Sequence, residues 1–156
     1  METSLLDRTR KALGAIAVGV LLLVTSGSIT SAQGDNNELI KMYRESAERG
    51  EAWAQNNLGV MYDNGEGVAE DDAEAVEWYR KAAEQGDAKA QSNLGVKYRD
   101  GQGVAQNYVV AHMWLDLART QGNQNALKYM ESLVTKMTKE QIAEAQRLVS
   151  ERQEKH

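Results

Sequence analysis

From residue 35 onward, apolar positions recur every three or four residues in short blocks punctuated by glycine and polar residues, the signature of helices buried along one face. Leu58, Gly59 and Tyr62 share a face over 52–62, and Ala75, Trp78 and Ala82 share one over 72–85. The same pairing returns with Leu94, Gly95 and Tyr98 over 88–98, then Ala111, Trp114 and Ala118 over 108–121. Polar residues fall where helix ends want them. Asp35, Asp71 and Asn107 stand at one N-cap register, and Asp87, Asn123 and, less well, Glu51 at the other. Gly50, Gly86 and Gly122 follow helices at the position that favours a left-handed residue. Between the paired helices, Gly65 and Gly67 (Gly101 and Gly103) permit positive φ, and Val68 (Val104) can plug the turn. An all-α chain of helix hairpins is expected.

The hairpins are copies. Residues 47–82 align with 83–118 without a gap, and 18 of the 36 positions are identical. A period of this length means a stacked array, and such arrays need about three units to bury their faces. With two full units, the flanks must supply the rest. A leading helix is expected over 35–49, carrying Leu39, Ile40 and Tyr43. A partial third copy is expected from Gly122, with a helix over 126–137 that carries Leu127, Met130, Leu133, Val134 and Met137 but lacks the glycine loop. Thr138 with Gln141 forms a capping-box pattern, opening a closing helix whose stripe is Ile142, Ala145, Leu148 and Val149. That helix reads as a solubilising cap.

The phrase AQNNLGVMYDNGEGV, repeated as AQSNLGVKYRDGQGV and followed by a Trp and a closing EQG, resembles the Sel1-like repeat family, relatives of the tetratricopeptide repeats. The resemblance covers about 35–137. It implies a right-handed α-solenoid whose concave surface binds proteins or peptides, as in adaptors and scaffolds of signalling, secretion and host contact. Some members staple each hairpin with a disulfide; this chain has no Cys, so nothing that depends on those bridges carries over.

The N-terminus differs in kind. Arg8, Arg10 and Lys11 precede an apolar run over 12–24, too short for the ~20 residues that span a bilayer, and Thr30, Ser31 and Ala32 offer a small-residue cleavage site. A signal peptide over 1–32 and a repeat domain over 33–156 are expected, with an uncleaved anchor as the alternative. Either places the repeats outside the cytoplasm; the periplasm is favoured and secretion comes second.

Removing 1–32 takes away three positive and two negative charges, leaving 15 Lys and Arg against 21 Asp and Glu, a net of −6. Residues 33–118 carry −8 and 119–156 carry +2. An acidic body is repelled by nucleic acid and by anionic head groups. No nucleic-acid partner and no membrane insertion after signal cleavage are expected.

Catalytic constellations are sparse. The 63–67 loop fails calcium-ligand spacing, and the paired glycines lack the third glycine of a dinucleotide site. The mature chain has neither the Ser-x-x-Lys nor the Gly-x-Ser-x-Gly nucleophile pattern. His112 replaces Val76 of the first copy and reads as structural. No catalytic residue, metal or cofactor is expected. The alternatives are an envelope enzyme, such as a carboxylate-dependent cell-wall hydrolase, and a secreted host-contact factor.

A repeat supplies its own control: positions the fold needs recur, and positions chosen for a partner are free to differ. Opposite the Leu58 face lie Trp53, Asn56, Val60, Asp63 and Asn64; the second copy presents Lys89, Ser92, Val96, Arg99 and Asp100, and the partial third adds Asn125 and Lys128. By resemblance to the tetratricopeptide superhelix these line a concave groove for another protein or peptide segment. Trp53 is either a groove anchor or a packing residue on the leading helix. Asn57 and Asn93 read first as fold-making hydrogen-bonders, with a peptide clamp as the alternative. A monomer is expected.

Overall fold

The computed structural model describes residues 31–154, with side chains from Glu38 onward. The expected signal peptide lies outside the described residues except for Ser31 and Ala32. Seven helices follow: α1 (Ser31–Glu48), α2 (Ala52–Asn64), α3 (Asp72–Glu84), α4 (Ala88–Asp100), α5 (Tyr108–Thr120), α6 (Gln124–Val134) and α7 (Lys139–Gln153). There is no strand among the described residues. Each helix packs on the next from α1 to α6, so the chain is an all-α solenoid with α2, α4 and α6 as one row.

The punctuation explains the boundaries. Asp71 accepts from the Ala73 and Glu74 amides at 3.0 Å, and Asn107 from Val109 and Val110 at 3.1 Å. Asp87 and Asn123 cap α4 and α6 in the same way, and Glu51 makes no side-chain cap. Two helices differ from expectation in their bounds. α1 already runs from Ser31, so Asp35 is inside the helix instead of capping it. α6 starts directly after its Asn123 cap and ends at Val134, beyond which Lys136 and Met137 turn back onto the Leu133 and Val134 carbonyls.

Two devices set the packing. Inside each hairpin a glycine lets the helices approach: a Cβ on Gly59 would lie 2.7 Å from the Tyr79 ring, and one on Gly95 2.7 Å from Leu115 Cγ. Leu58 and Leu94, fully buried beside them, contribute roughly 2 kcal/mol each. Between units a buried glutamine relay ties the helix ends together. Gln55 Nε2 donates to the Ala47 carbonyl (3.1 Å), and its Oε1 accepts from Gln85 (2.7 Å). One period on, Gln91 donates to Ala83 (3.2 Å) and accepts from Gln121 (2.8 Å).

The third copy breaks both devices, having Glu131 at the glycine register and Leu127 at the glutamine register. A carboxylate side chain where α3 and α5 need none blocks a third close hairpin. Accordingly α7 lays its stripe against α5 and leaves α6 without a hairpin partner. The capping box forms, with Gln141 N donating to Thr138 Oγ1 at 3.2 Å and Thr138 N to Gln141 Oε1 at 2.9 Å. Val149 and Leu148 join the cluster of Ala82, Ala83, Trp114 and Leu117. The Arg152 guanidinium lies 4.3 Å from the centre of the Trp114 ring. The closing helix therefore covers the outer row and not the end of the stack.

Truncation after Met137 should bare Trp114 and Leu117, giving a lower and broader thermal transition and binding of a hydrophobic dye. An unchanged cooperative melt by circular dichroism would refute that role for α7.

Candidate interaction groove

The expected groove residues fall in two environments. Along α2, α4 and the start of α6 runs an open groove made of two adjoining hollows of about 310 and 410 Å³. The first is lined by Trp53, Asn56, Asn57, Asp87, Ala88 and Lys89. The second shares Asn56, Asn57 and Lys89 and adds Val60, Ser92 and Asn93, ending at Asn123, Asn125 and Tyr129. Six of the expected residues thus come together: Trp53, Asn56, Val60, Lys89, Ser92 and Asn125.

Asn56 and Ser92 form the floor and are nearly inaccessible, at 5% and 3% exposure. Asn93 Nδ2 donates to Asn56 Oδ1 across the unit boundary at 3.1 Å. Trp53 packs on the leading helix and also borders the first hollow. Its ring packs edge-on to Tyr43 of α1 (5.9 Å between centroids, 67°) and its Nε1 donates to Glu51 at 2.9 Å, yet it stays 47% exposed. Asn123 belongs to groove and scaffold alike, capping α6 while donating to the Ala88 carbonyl at 3.1 Å.

Asp63, Asn64, Val96, Arg99, Asp100 and Lys128 do not line the groove, and the side-chain bonds of four of them show why. Lys97 replaces Met61 of the first copy and puts a cation into the core at 4% exposure. It bonds Asp63 and, at 2.6 Å, Asp72, while the Tyr79 hydroxyl donates to Asp63 at 3.1 Å. Burial alone would lower the Lys97 ammonium, but these hydrogen bonds outweigh it and hold the group above its ordinary value. Burial, with Asp63 beside it, also pushes the Tyr79 phenol up. Asp63 is thus committed to the scaffold. Asn64 bonds Glu66 in its own loop at 2.8 Å. Arg99 and Asp100 pair through two bonds of 2.7 and 2.6 Å, with the Arg99 guanidinium 5.1 Å from the centre of the Tyr129 ring. Val96 is half-buried and Lys128 exposed. The identity-versus-difference test could not separate a residue that changed for a partner from one that changed to meet Lys97.

Sequence reasoning missed Asp87, Ala88, Asn123 and Tyr129 as lining residues. Tyr129 was findable, since it stands 36 residues after Asn93 at the same register.

A further hollow of about 370 Å³ lies under the end of α7, between Gln85, Gln91, Gln121 and Arg152. The three glutamines are already bonded in the relay, so this hollow belongs to the scaffold. Among the described residues no cluster of three or more His, Asp or Glu side chains could hold a metal ion. No described helix is long and apolar enough to cross a membrane.

His112 is 3% exposed, and its Nδ1 has no hydrogen-bond partner among the described residues. Burial pushes its pKa below the ordinary histidine value; Asp116 pulls it up and Arg119 down. The neutral form is favoured in the fold, so stability is present above the unfolded-state value near 6.5 and falls as pH drops through that value toward the folded one. His112→Val, restoring the residue of the first copy, should raise the melting point by removing an unpaired buried nitrogen, worth about 1 kcal/mol or more. It should also flatten the pH dependence of stability between about pH 7 and 5. Melting curves at both pH values check this, and a variant with the slope of the wild type would contradict it.

The Sel1 repeat family model matches residues 54–87 and 88–123, one copy each. A Sel1 repeat protein from Oxalobacter formigenes is similar in structure, with 41% identity and a TM-score of 0.60, covering 62% of this chain and 72% of its own. A protective antigen present in uropathogenic Escherichia coli strains and displaying an SLR fold is similar at 35% identity and a TM-score of 0.73. That match covers 83% of this chain, which spans only 27% of the antigen. No curated protein matches the chain.

Proposed function

The chain belongs to the Sel1 repeat family, and on that premise we propose that it is an exported interaction module that holds a protein or peptide segment in the α2/α4/α6 groove without catalysing a reaction. The observation that carries this reading is the division of labour between copies. The positions that make the stack recur (Leu58/Leu94, Gly59/Gly95, Gln55/Gln91), whereas among those that open on the groove Trp53/Lys89/Asn125 and Asn56/Ser92 change while Asn57/Asn93 recur. An exposed tryptophan at the mouth of a polar hollow is the kind of residue on which binding energy concentrates. The N-terminal pattern over 1–32 supports export, to the periplasm first.

A second reading, a secreted factor that contacts host proteins, draws on the similarity to the protective antigen. The two differ in where the protein accumulates.

Affinity capture from envelope extract tests the groove, using the wild type beside a Trp53→Ala, Lys89→Glu variant shown to be folded by circular dichroism. Both side chains are exposed, so the fold should survive. The expected result is a protein retained by the wild type and reduced about tenfold or more on the variant, the loss of one hot-spot contact. Equal retention by both would move the working surface off the groove.

A further inference from the structure

We infer that the two ends of the stack are the halves of one joint, so that α1 of one copy docks on α6 of another and the chains assemble head to tail. Four large apolar side chains are exposed among the described residues: Leu39, Met42, Trp53 and Leu127. Trp53 borders the groove. The other three lie on α1 and α6, at the two ends of the row. A stack is normally closed by a polar terminal face, and these faces are apolar.

The 36-residue register says what each end lacks. α1 corresponds to α3 and α5, the outer helix of a hairpin, and its packing is on α2, the helix that follows it. Leu39 takes the place of Ala75 and Ala111, which are fully buried, and is 43% exposed. Those alanines lie where the inner helix of each hairpin comes closest: a Cβ on Gly59 would be 3.3 Å from the Ala75 carbonyl oxygen, and one on Gly95 3.2 Å from that of Ala111. Met42 takes the place of Trp78, which packs on the cluster around Leu58. α6 is the reverse case, an inner helix without an outer one. Met130, at the register of the fully buried Leu58 and Leu94, is only half-buried, and Leu127, at the register of the buried Gln55 and Gln91, is 42% exposed. α1 lacks an inner helix and α6 an outer one; a second copy supplies both.

Charge favours this pairing over that of two like ends. α1 carries Lys41 and Arg44 against Asp35, Glu38, Glu45 and Glu48, a net of −2. The stretch 124–139 carries Lys128, Lys136 and Lys139 against Glu131, a net of +2. Two α1 helices, or two α6 helices, would meet with charge of one sign, whereas α1 on α6 brings opposite signs together. The closing helix leaves the place open, since its packing is on α5. The joint is looser than a hairpin inside the chain, because Leu39 and Glu131 stand where the first full hairpin has Ala75 and Gly59. One helix laid on another buries less than about 1,200 Å², so the association depends on concentration, and a joint between unlike surfaces builds open chains or closed rings. The monomer expected from the sequence then holds only in dilute solution.

Sedimentation velocity of the protein, purified as the cells that make it process it, tests this between about 1 μM and 1 mM. The expected result is an average mass that rises with concentration. Two variants separate the ends: Leu39→Glu with Met42→Glu closes the α1 end, and Leu127→Glu closes the α6 end. All three side chains are exposed, so both variants should be folded by circular dichroism. Each alone should stay monomeric, because every joint in a uniform sample needs both ends, and an equal mixture should form dimers and nothing larger. Lys89→Glu, in the groove and off the joint, should assemble as the wild type does. Self-association of either end variant by itself, a mixture that stays monomeric, or loss of assembly on Lys89→Glu would each overturn the joint. A wild type that stays monomeric throughout would also overturn it, leaving the α1 end to residues 1–30 or to another protein, with the groove reading untouched.

Discussion

The glutamine relay between units is the constraint on which the rest depends. A helix hairpin of this size cannot bury its own apolar face, so everything rests on the contact with the next hairpin. Gln55 and Gln91, each 5% exposed, take a carbonyl from the helix before and an amide from the helix after. The Ala47 and Ala83 carbonyls accept from the Gly50 and Gly86 amides as well, and the added glutamine bonds fix the offset between units. Where the glutamine gives way to Leu127 and the close-approach glycine to Glu131, the array stops and α7 folds over α5 instead.

Fixing the stack from the helix ends and the hairpin interior frees the inner row. Of the α2, α4 and α6 side chains that face the groove, those at the Trp53/Lys89/Asn125 register vary from copy to copy, whereas Asn57 and Asn93 recur and Asn93 bonds Asn56 across the unit boundary. The exception is instructive. Near the end of α4, the buried Lys97 in place of Met61 gathers the half-buried Asp63 and Asp72 carboxylates, with the Tyr79 hydroxyl on Asp63. That charge commits Asp63, a variable position on the groove-side face of α2, to the scaffold.

Most of the fold was legible in the sequence because its rules are local and stated twice. Helix caps and left-handed glycines each need one residue at one place, and the 36-residue period fixed their phase, while the capping box needs only the Thr138 and Gln141 pair. The packing of α7 was less legible. Its stripe showed that it was buried, but only the Glu131 side chain explains which helix it covers. The groove was half legible. Trp53, Asn56, Val60, Lys89, Ser92 and Asn125 followed from helical spacing, while Asp63, Asn64, Arg99 and Asp100 share that spacing and are drawn off by ion pairs and loop bonds to neighbours that helical periodicity does not encode.

The most direct measurement of the central claim, that the variable inner row and not the outer row meets the partner, is site-specific photocrosslinking in the cells that make the protein. A photoreactive residue at Asn125, exposed in the groove and free of scaffold bonds among the described residues, is compared with one at Glu77, exposed on α3 in the outer row. The account predicts a discrete adduct from position 125 and none from position 77. A discrete adduct from 77 with nothing from 125 would contradict it.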